Sequence, residues 1–197
     1  ILRPQDMGML ASIGCARVKV YRPLRVAVLS TGDELFEPGS GALPDGGIYN
    51  SNRYTLAGLV HSLHMEFVDC GMVADDADAT AQALLNASKF ADCVITTGGV
   101  SVGEEDHVKA AVEKLGRLDL WRLAIKPGKP LAFGYVDDKP FFGLPGNPVS
   151  SFVTFTMVAR RYLLKCQGCH ELDLTTLYAS ADFSVGPGSR REYLRVR

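Results

Sequence analysis

The chain lacks a membrane-spanning stretch: among its 197 residues no apolar run approaches the roughly 20 that a helical span of a bilayer requires. It also lacks an excess of positive charge, since 21 Lys and Arg stand against 22 Asp and Glu for a formal net charge of -1. Nucleic acid is therefore a poor partner, because phosphate-backbone binding calls for a basic face. Histidine is sparse, at 4, and none stands with a serine or cysteine as a triad requires, which counts against acyl-enzyme chemistry. The 5 cysteines include a single CxxC, Cys166 and Cys169. Without a second pair, and even with His170 adjoining, a four-ligand structural zinc site is not assembled. Cys70 and Cys93 fall in apolar segments and read as reduced core thiols, in keeping with a reducing cytosol and a cytoplasmic protein. The first residues carry Arg3 and Asp6 and no continuous apolar core, so no signal peptide is expected there. There is no internal repeat and no low-complexity segment.

What is present is an ordinary globular composition, 47% hydrophobic and 22% charged, long enough for one large or two small domains. A start on ILRPQ without methionine leads to the expectation that residues 1–22 are the end of a preceding domain or a linker, with Asp6 capping a short helix that closes at Gly14 and ARVKVY as a short strand. From Pro23 the pattern alternates. RVAVLS is a central strand running into Thr31-Gly32-Asp33-Glu34-Leu35, and a turn-rich segment leads to Asn50-Ser51-Asn52 and a helix with Leu56, Leu59, Val60 and Leu63 on one face. Residues 65–73 form a second strand, followed by Asp75 and Asp76. A helix over Ala77–Ala87 turns Ala81, Leu84 and Leu85 inward. Val94–Thr97 is short, β-branched and apolar, as a strand buried on both faces would be. A third helix runs from Glu104 or Glu105 to Leu115 and is closed by Gly116. LDLWRLAI is a further strand, and LAFGYV and KPFFGLP around Asp137-Asp138 form an antiparallel hairpin on the sheet edge. Pro148 suits the first position of a last helix reaching Lys165. Strand and helix alternating at this spacing predict an α/β/α, mostly parallel three-layer domain over residues 23–168. After Gly168, ELDLTTLYASADF and REYLRVR alternate with period two, so residues 169–197 are expected to be part of a small, incomplete β domain.

The loops that follow these strands are chemically loaded: TGDE (31–34), Asp75-Asp76, GGVSVGEED (98–106), KPGKP (126–130) and LPGNP (144–148). Parallel strands place such loops along one edge, where open α/β sheets bind ligands. Gly98, Gly99, Ser101 and Gly103 suit an anion-cradling turn, although an ordinary Gly-rich βα turn would look the same in isolation. Lys126 and Lys129 on a proline-bracketed loop would hold an oxyanion as point charges; each alone would more commonly be a solvated surface lysine. The carboxylates Asp33, Glu34, Asp75 and Asp106 would repel one another without a cation, and Mg2+ bridged to phosphate oxygens is the natural partner, with Glu34 and Asp106 as expected ligands. The plainer alternatives are helix capping by Asp75 or Asp76 and first-turn dipole stabilisation by Glu105 and Asp106.

The order of TGDEL, Asn50–Asn52, TTGGVSVGEED, AIKPGKPLAFG and GLPGNPVS resembles the molybdopterin molybdenumtransferase family of molybdenum cofactor biosynthesis, well over residues 3–165 and more loosely in the tail. The resemblance implies a molybdopterin-binding fold, a homodimer, and insertion of molybdate into adenylylated molybdopterin with release of AMP. It implies catalytic roles for Glu34, Asp75, Asp106 and Lys126, and loop prolines at Pro145 and Pro148. Lys129 and Ser150 would lie near molybdate. The cofactor-binding set on these motifs is completed by Thr31, Gly32, Asp33, Asn52, Gly98, Gly99, Ser101, Gly103, Gly146 and Asn147. Expected partners are the pterin nucleotide, molybdate, a second copy of the chain and the molybdopterin adenylyltransferase. Two positions depart from the family: Asn50, where an aspartate is frequent, and Arg122, where a lysine is common. The same core occurs in the adenylyltransferase itself and in a competence-damage-type family, and a pterin-binding scaffold module without turnover is the third reading.

Overall fold

The structure is a computed structural model and describes residues 2–100 and 107–196. In chain order its elements are α1 (Pro4–Ser12), β1 (Arg25–Thr31), β2 (Leu35–Phe36), β3 (Ile48–Tyr49), α2 (Ser51–Ser62), β4 (Glu66–Val73), α3 (Ala77–Phe90), β5 (Cys93–Thr97), α4 (His107–Leu115), β6 (Gly116–Arg122), β7 (Ile125–Lys126), β8 (Pro130–Val136), β9 (Lys139–Leu144), α5 (Pro148–Thr154), α6 (Arg160–Cys166) and β10 (Arg191–Glu192). Six strands make the main sheet in the order β4-β1-β5-β9-β8-β6. β4, β1, β5 and β9 run parallel, and β8 is antiparallel to both β9 and β6.

The sheet sits between two helical layers because its strands are apolar on both faces. Ala27 and Leu29 of β1, Val94 of β5 and Phe141 of β9 pack with Leu84 of α3 and Val108 and Val112 of α4. Val26, Val28, Ile95 and Phe142 face the other way, onto Leu56 and Val60 of α2 and Phe155 and Leu163 of the last helix. β5 is buried at all five positions, as its unbroken CVITT run requires. From β1 the chain moves outward through α2 to β4, then returns through α3 to pair β5 on the opposite side of β1. That reversal puts a topological switch point between β1 and β5, with a crevice at their carboxyl ends.

Several local expectations change. Arg3 is the N-cap residue of α1 but its side chain makes no cap; Asp6, at the third helical position, accepts from the Arg3 N–H at 2.9 Å. ARVKVY forms no strand, because an alternating segment without a pairing partner gains no ladder. Gly116 begins β6 and does not close α4; a Cβ there would collide with the Tyr135 carbonyl of β8, so strand approach explains the glycine. The Asp137-Asp138 hairpin forms, both residues at positive φ, yet β9 is interior and β6 is the edge strand. The last helix is one run broken by a π turn over Phe155–Ala159. Of the strands expected in the tail, only Arg191–Glu192 pairs among the described residues, in parallel with Ile125–Lys126.

At the amino end of the strands, Asp92 ties β5 to the segment entering β1. Its carboxylate accepts from Arg22 Nη1 and Nη2, both at 2.6 Å, and from the Arg25 N–H at 2.8 Å. The Arg22 guanidinium, foremost, holds the carboxyl at about 2, below its ordinary 3.8. A depressed carboxyl stabilises the fold above its unfolded value and loses that contribution as pH falls through its folded one. Wild type should therefore lose stability between about pH 4 and pH 2 more steeply than Asp92→Asn, by up to about one proton in uptake on unfolding. Urea unfolding at pH 6, 4, 3 and 2 checks this, and parallel pH profiles would remove the assignment.

Candidate ligand cleft at the carboxyl edge of the sheet

The cleft is built from chain turns that only particular residues permit. β1 ends at Thr31, and Gly32 follows at φ +141°. β5 ends at Thr97, and Gly98 and Gly99 follow at φ +89° and +63°. A Cβ on Gly98 would collide with the Thr31 carbonyl oxygen, and one on Gly99 would come within 2.6 Å of Thr31 Oγ1. The absence of side chains thus lets the ends of β1 and β5 touch. The Gly98 N–H donates to the Leu144 carbonyl at 3.2 Å, which brings the loop after β9 to the same point. There Asn147 caps α5, its Oδ1 accepting from the Ser150 N–H at 3.1 Å and from Ser150 Oγ at 3.3 Å, with Pro148 as first helical residue.

Together these turns enclose a cleft of 420 Å³ lined by Thr31, Gly32, Glu34, Asp75, Gly98, Gly99, Val100, Pro130, Pro145, Gly146, Asn147 and Ser150. Ten expected site residues are thereby brought to one wall or another: Thr31, Gly32, Glu34, Asp75, Gly98, Gly99, Pro145, Gly146, Asn147 and Ser150. Asp33 stands just behind, its Oδ1 accepting from the Asp75 N–H at 3.1 Å and so joining the two acidic loops. Asp76, not Asp75, caps α3, accepting from the Ala79 N–H at 2.8 Å, which leaves the Asp75 carboxylate to the cleft. Lys126 and Lys129 are exposed beside it and do not line it, although Pro130 of their loop does. Ser101, Gly103 and Asp106 lie outside the described residues. Among the described residues no group of three or more His, Cys, Asp or Glu is arranged to hold a metal ion.

Asn52 does something other than line the cleft. From the first turn of α2, almost buried, its Nδ2 donates to Thr97 Oγ1 and to the Gly146 carbonyl, both at 2.7 Å. It therefore clamps the loop after β9 to the end of β5. Asn52→Asp would replace that donor with an acceptor facing a carbonyl, at a cost of about 1–3 kcal/mol. Urea unfolding of the variant measures it, and an unchanged midpoint would refute the clamp. Asn50, at 1% exposure, caps α2, its Oδ1 accepting from the Arg53 N–H and from Ser30 Oγ, both at 3.3 Å, while its buried Nδ2 has no partner. An aspartate there would keep the cap without the orphaned donor. Arg122 is exposed at the end of β6, across from Pro130.

Two features were not legible beforehand. Val100 and Pro130 complete the apolar part of the wall, and the tail reaches the segment leading into KPGKP, with Glu192 Oε1 2.8 Å from Lys126 Nζ. A separate cavity of 490 Å³ opens at the opposite edge, lined by residues such as Tyr21, Leu63, His64 and Gly168 and by no carboxylate. Its larger volume does not outweigh its position away from the switch point. No described helix is long and apolar enough to cross a membrane.

The chain is similar to known proteins over most of its length. A profile of the probable molybdopterin binding domain matches residues 27–165. The molybdopterin molybdenumtransferase of Haemophilus influenzae is 50% identical over 167 residues, covering 85% of this chain and 41% of the relative. The molybdenum cofactor synthesis protein cinnamon of Drosophila melanogaster is 38% identical over 194 residues, covering 96% of this chain and 31% of the relative. A solved molybdopterin biosynthesis protein of Pyrococcus horikoshii superposes with a TM-score of 0.74 at 34% identity, over 83% of this chain and 40% of that one. The chain thus spans well under half the length of each of these relatives. With its mostly parallel α/β/α sheet, its glycine-built cleft at the switch point and these matches, the chain belongs to the molybdopterin-binding domain family of molybdenum cofactor biosynthesis.

Proposed function

We propose that this chain carries the part of a molybdopterin molybdenumtransferase that binds adenylylated molybdopterin and, with molybdate, releases AMP as the metal is inserted. The observation that carries the reading is the pairing of an anion cradle with carboxylates in one cleft. The Gly98-Gly99 turn and the Asn147-capped start of α5 line the same space as Glu34 and Asp75. Phosphate oxygens would be held by the turns and by Ser150, with Lys126 and Lys129 supplying charge to molybdate or to the leaving phosphate. Asp75 would orient the attacking oxygen, and Glu34 would face the opposite side of the phosphoanhydride. Pro145 and Pro148 keep the loop after β9 rigid, so that its amides are aimed before the ligand arrives.

Mg2+ fits this donor set, because it keeps most of its waters and takes only one or two protein carboxylates beside substrate phosphates. Glu34 would hold it together with Asp106, and when bound it would neutralise charge developing on the phosphate oxygens. On this reading residues 1–22 are a linker or the end of a preceding domain, 23–168 the pterin-binding domain and 169–197 part of a small β domain. The working protein is proposed to be a cytoplasmic homodimer that takes its pterin nucleotide from the adenylyltransferase.

AMP release from adenylylated molybdopterin, with and without molybdate, tests the reading on this chain and on a chain extended to the length of its relatives. The expected result is molybdate-dependent release by the longer chain and little or none by the shorter, with Asp75→Asn lowering it about 100-fold or more. Release that ignores molybdate would exclude the transferase. Consumption of ATP with metal-free pterin would indicate the adenylyltransferase, and pterin retention with neither reaction a binding module.

A further inference from the structure

We propose that Glu192 is a positioning residue for this cleft: it latches Lys126 onto the tail, and an oxyanion entering the cleft competes with the Glu192 carboxylate for that ammonium. The inference rests on the oxyanion reading of the cleft given above. It starts from how the tail is held. β10 lies alongside β7 in parallel, with Arg191 opposite Ile125 and Glu192 opposite Lys126. The Arg191 N–H donates to the Ala124 carbonyl at 3.2 Å, the Tyr193 N–H to the Lys126 carbonyl at 2.8 Å, and Arg190 Nη1 to the Ile125 carbonyl at 3.2 Å. Three neighbouring tail residues therefore grip three consecutive residues of the segment that leads into KPGKP.

Directly opposed residues project from one face of a strand pair. The pairing thus sets the Glu192 carboxylate against the Lys126 ammonium, Oε1 to Nζ 2.8 Å. The loop beyond is fixed from its other side. Gly128, at φ +107°, packs so closely that an added Cβ would come within 2.5 Å of Thr154 Cγ2 and 3.1 Å of Ile125 Cδ1. Pro130, four residues after Lys126, already lines the cleft, whereas Lys126 does not. With the backbone anchored on both sides, the freedom left to Lys126 is its choice of counter-ion. While Glu192 holds it the pair is neutral, and the cleft mouth offers an anion less positive potential. Linkage makes the relation reciprocal: an anion that captures Lys126 weakens the grip of the tail by the same factor.

The lysine is 58% exposed and the glutamate 26%, so the pair is solvent-screened and its effect is roughly two- to fivefold. Two measurements decide the matter. In limited acetylation read by mass spectrometry, Glu192→Gln should raise the rate at Lys126 two- to fivefold, about the range of such pairs, and leave Lys165 unchanged. Equal rates would overturn the latch without reference to any ligand. In equilibrium binding of inorganic molybdate and of AMP, Glu192→Gln should bind about two- to fivefold tighter, and the gain should vanish when compared in a Lys126→Ala background. Binding no tighter than wild type, or a gain that survives without Lys126, overturns the competition. If acetylation responds but neither probe binds any variant, the oxyanion reading of the cleft fails, and Glu192 is reduced to a structural strap.

Discussion

Gly98→Ala is expected to lower stability by about 2–4 kcal/mol and to abolish ligand binding in the cleft. Two costs add. The backbone at φ +89° lies where an L side chain is strained, at about 1 kcal/mol or more. The new methyl would also clash with the Thr31 carbonyl oxygen, so β1 and β5 must separate where the cleft floor is formed, at about 1–3 kcal/mol. The Gly98 N–H bond to Leu144 would be disturbed in the same step, moving the loop that carries Gly146 and Asn147. Gly186→Ala is the control, since nothing lies within 4 Å of a Cβ there. It should stay within about 0.5 kcal/mol of wild type. Urea unfolding and AMP titration on both variants separate the cases, and a Gly98→Ala protein that unfolds and binds as wild type would refute the close-approach argument.

Phe142→Ala is the second large effect, and it acts from beneath the site. Phe142 is 1% exposed at the middle of β9, with ring centroids 4.9 Å from Phe133 and 5.4 Å from Tyr162. Truncation removes the ring and leaves a cavity that the sheet and last helix cannot fill, at about 3–5 kcal/mol. That is a large share of the stability of a domain, about 5–15 kcal/mol. Phe142→Leu, which keeps most of the volume, should cost less than about 1.5 kcal/mol. Because β9 delivers Pro145 and Gly146 to the cleft, the alanine variant should also lose affinity for AMP at temperatures where it is still folded. Thermal and urea unfolding give the first quantity; a loss below about 1 kcal/mol would show that β9 does not carry the core.

What could be read from the chain was what local pattern controls. RVAVLS and CVITT announced buried strands because an unbroken apolar run has few other uses, and Asn147-Pro148 announced a helix start through capping chemistry. The loops at one edge were legible because they follow strands that run in one direction. Pairing was not legible. ARVKVY and the tail carry the alternation of a strand, yet a strand exists only where another offers its edge. The Asp137-Asp138 hairpin was visible, but its place inside the sheet depends on β6 returning to cover it. Asn52 stands in a polar pre-helix motif that suits a ligand residue; only the fold shows its Nδ2 donating to Thr97 and Gly146 while its Oδ1 has no partner. Glu192 gave no signal, since its partner Lys126 is remote in the chain and the strand pair joining them is two residues long.

The central claim is that the cleft at the carboxyl ends of β1, β5 and β9 takes an oxyanion-bearing ligand. An amide-resolved NMR titration of the chain with AMP, repeated with inorganic molybdate, tests it most directly. The expected result is saturable shifts at Gly32, Gly98, Gly99, Gly146 and Ser150, with Tyr21, His64 and Gly168 at the opposite edge unmoved. Shifts confined to that opposite edge, or none with either ligand, would contradict it.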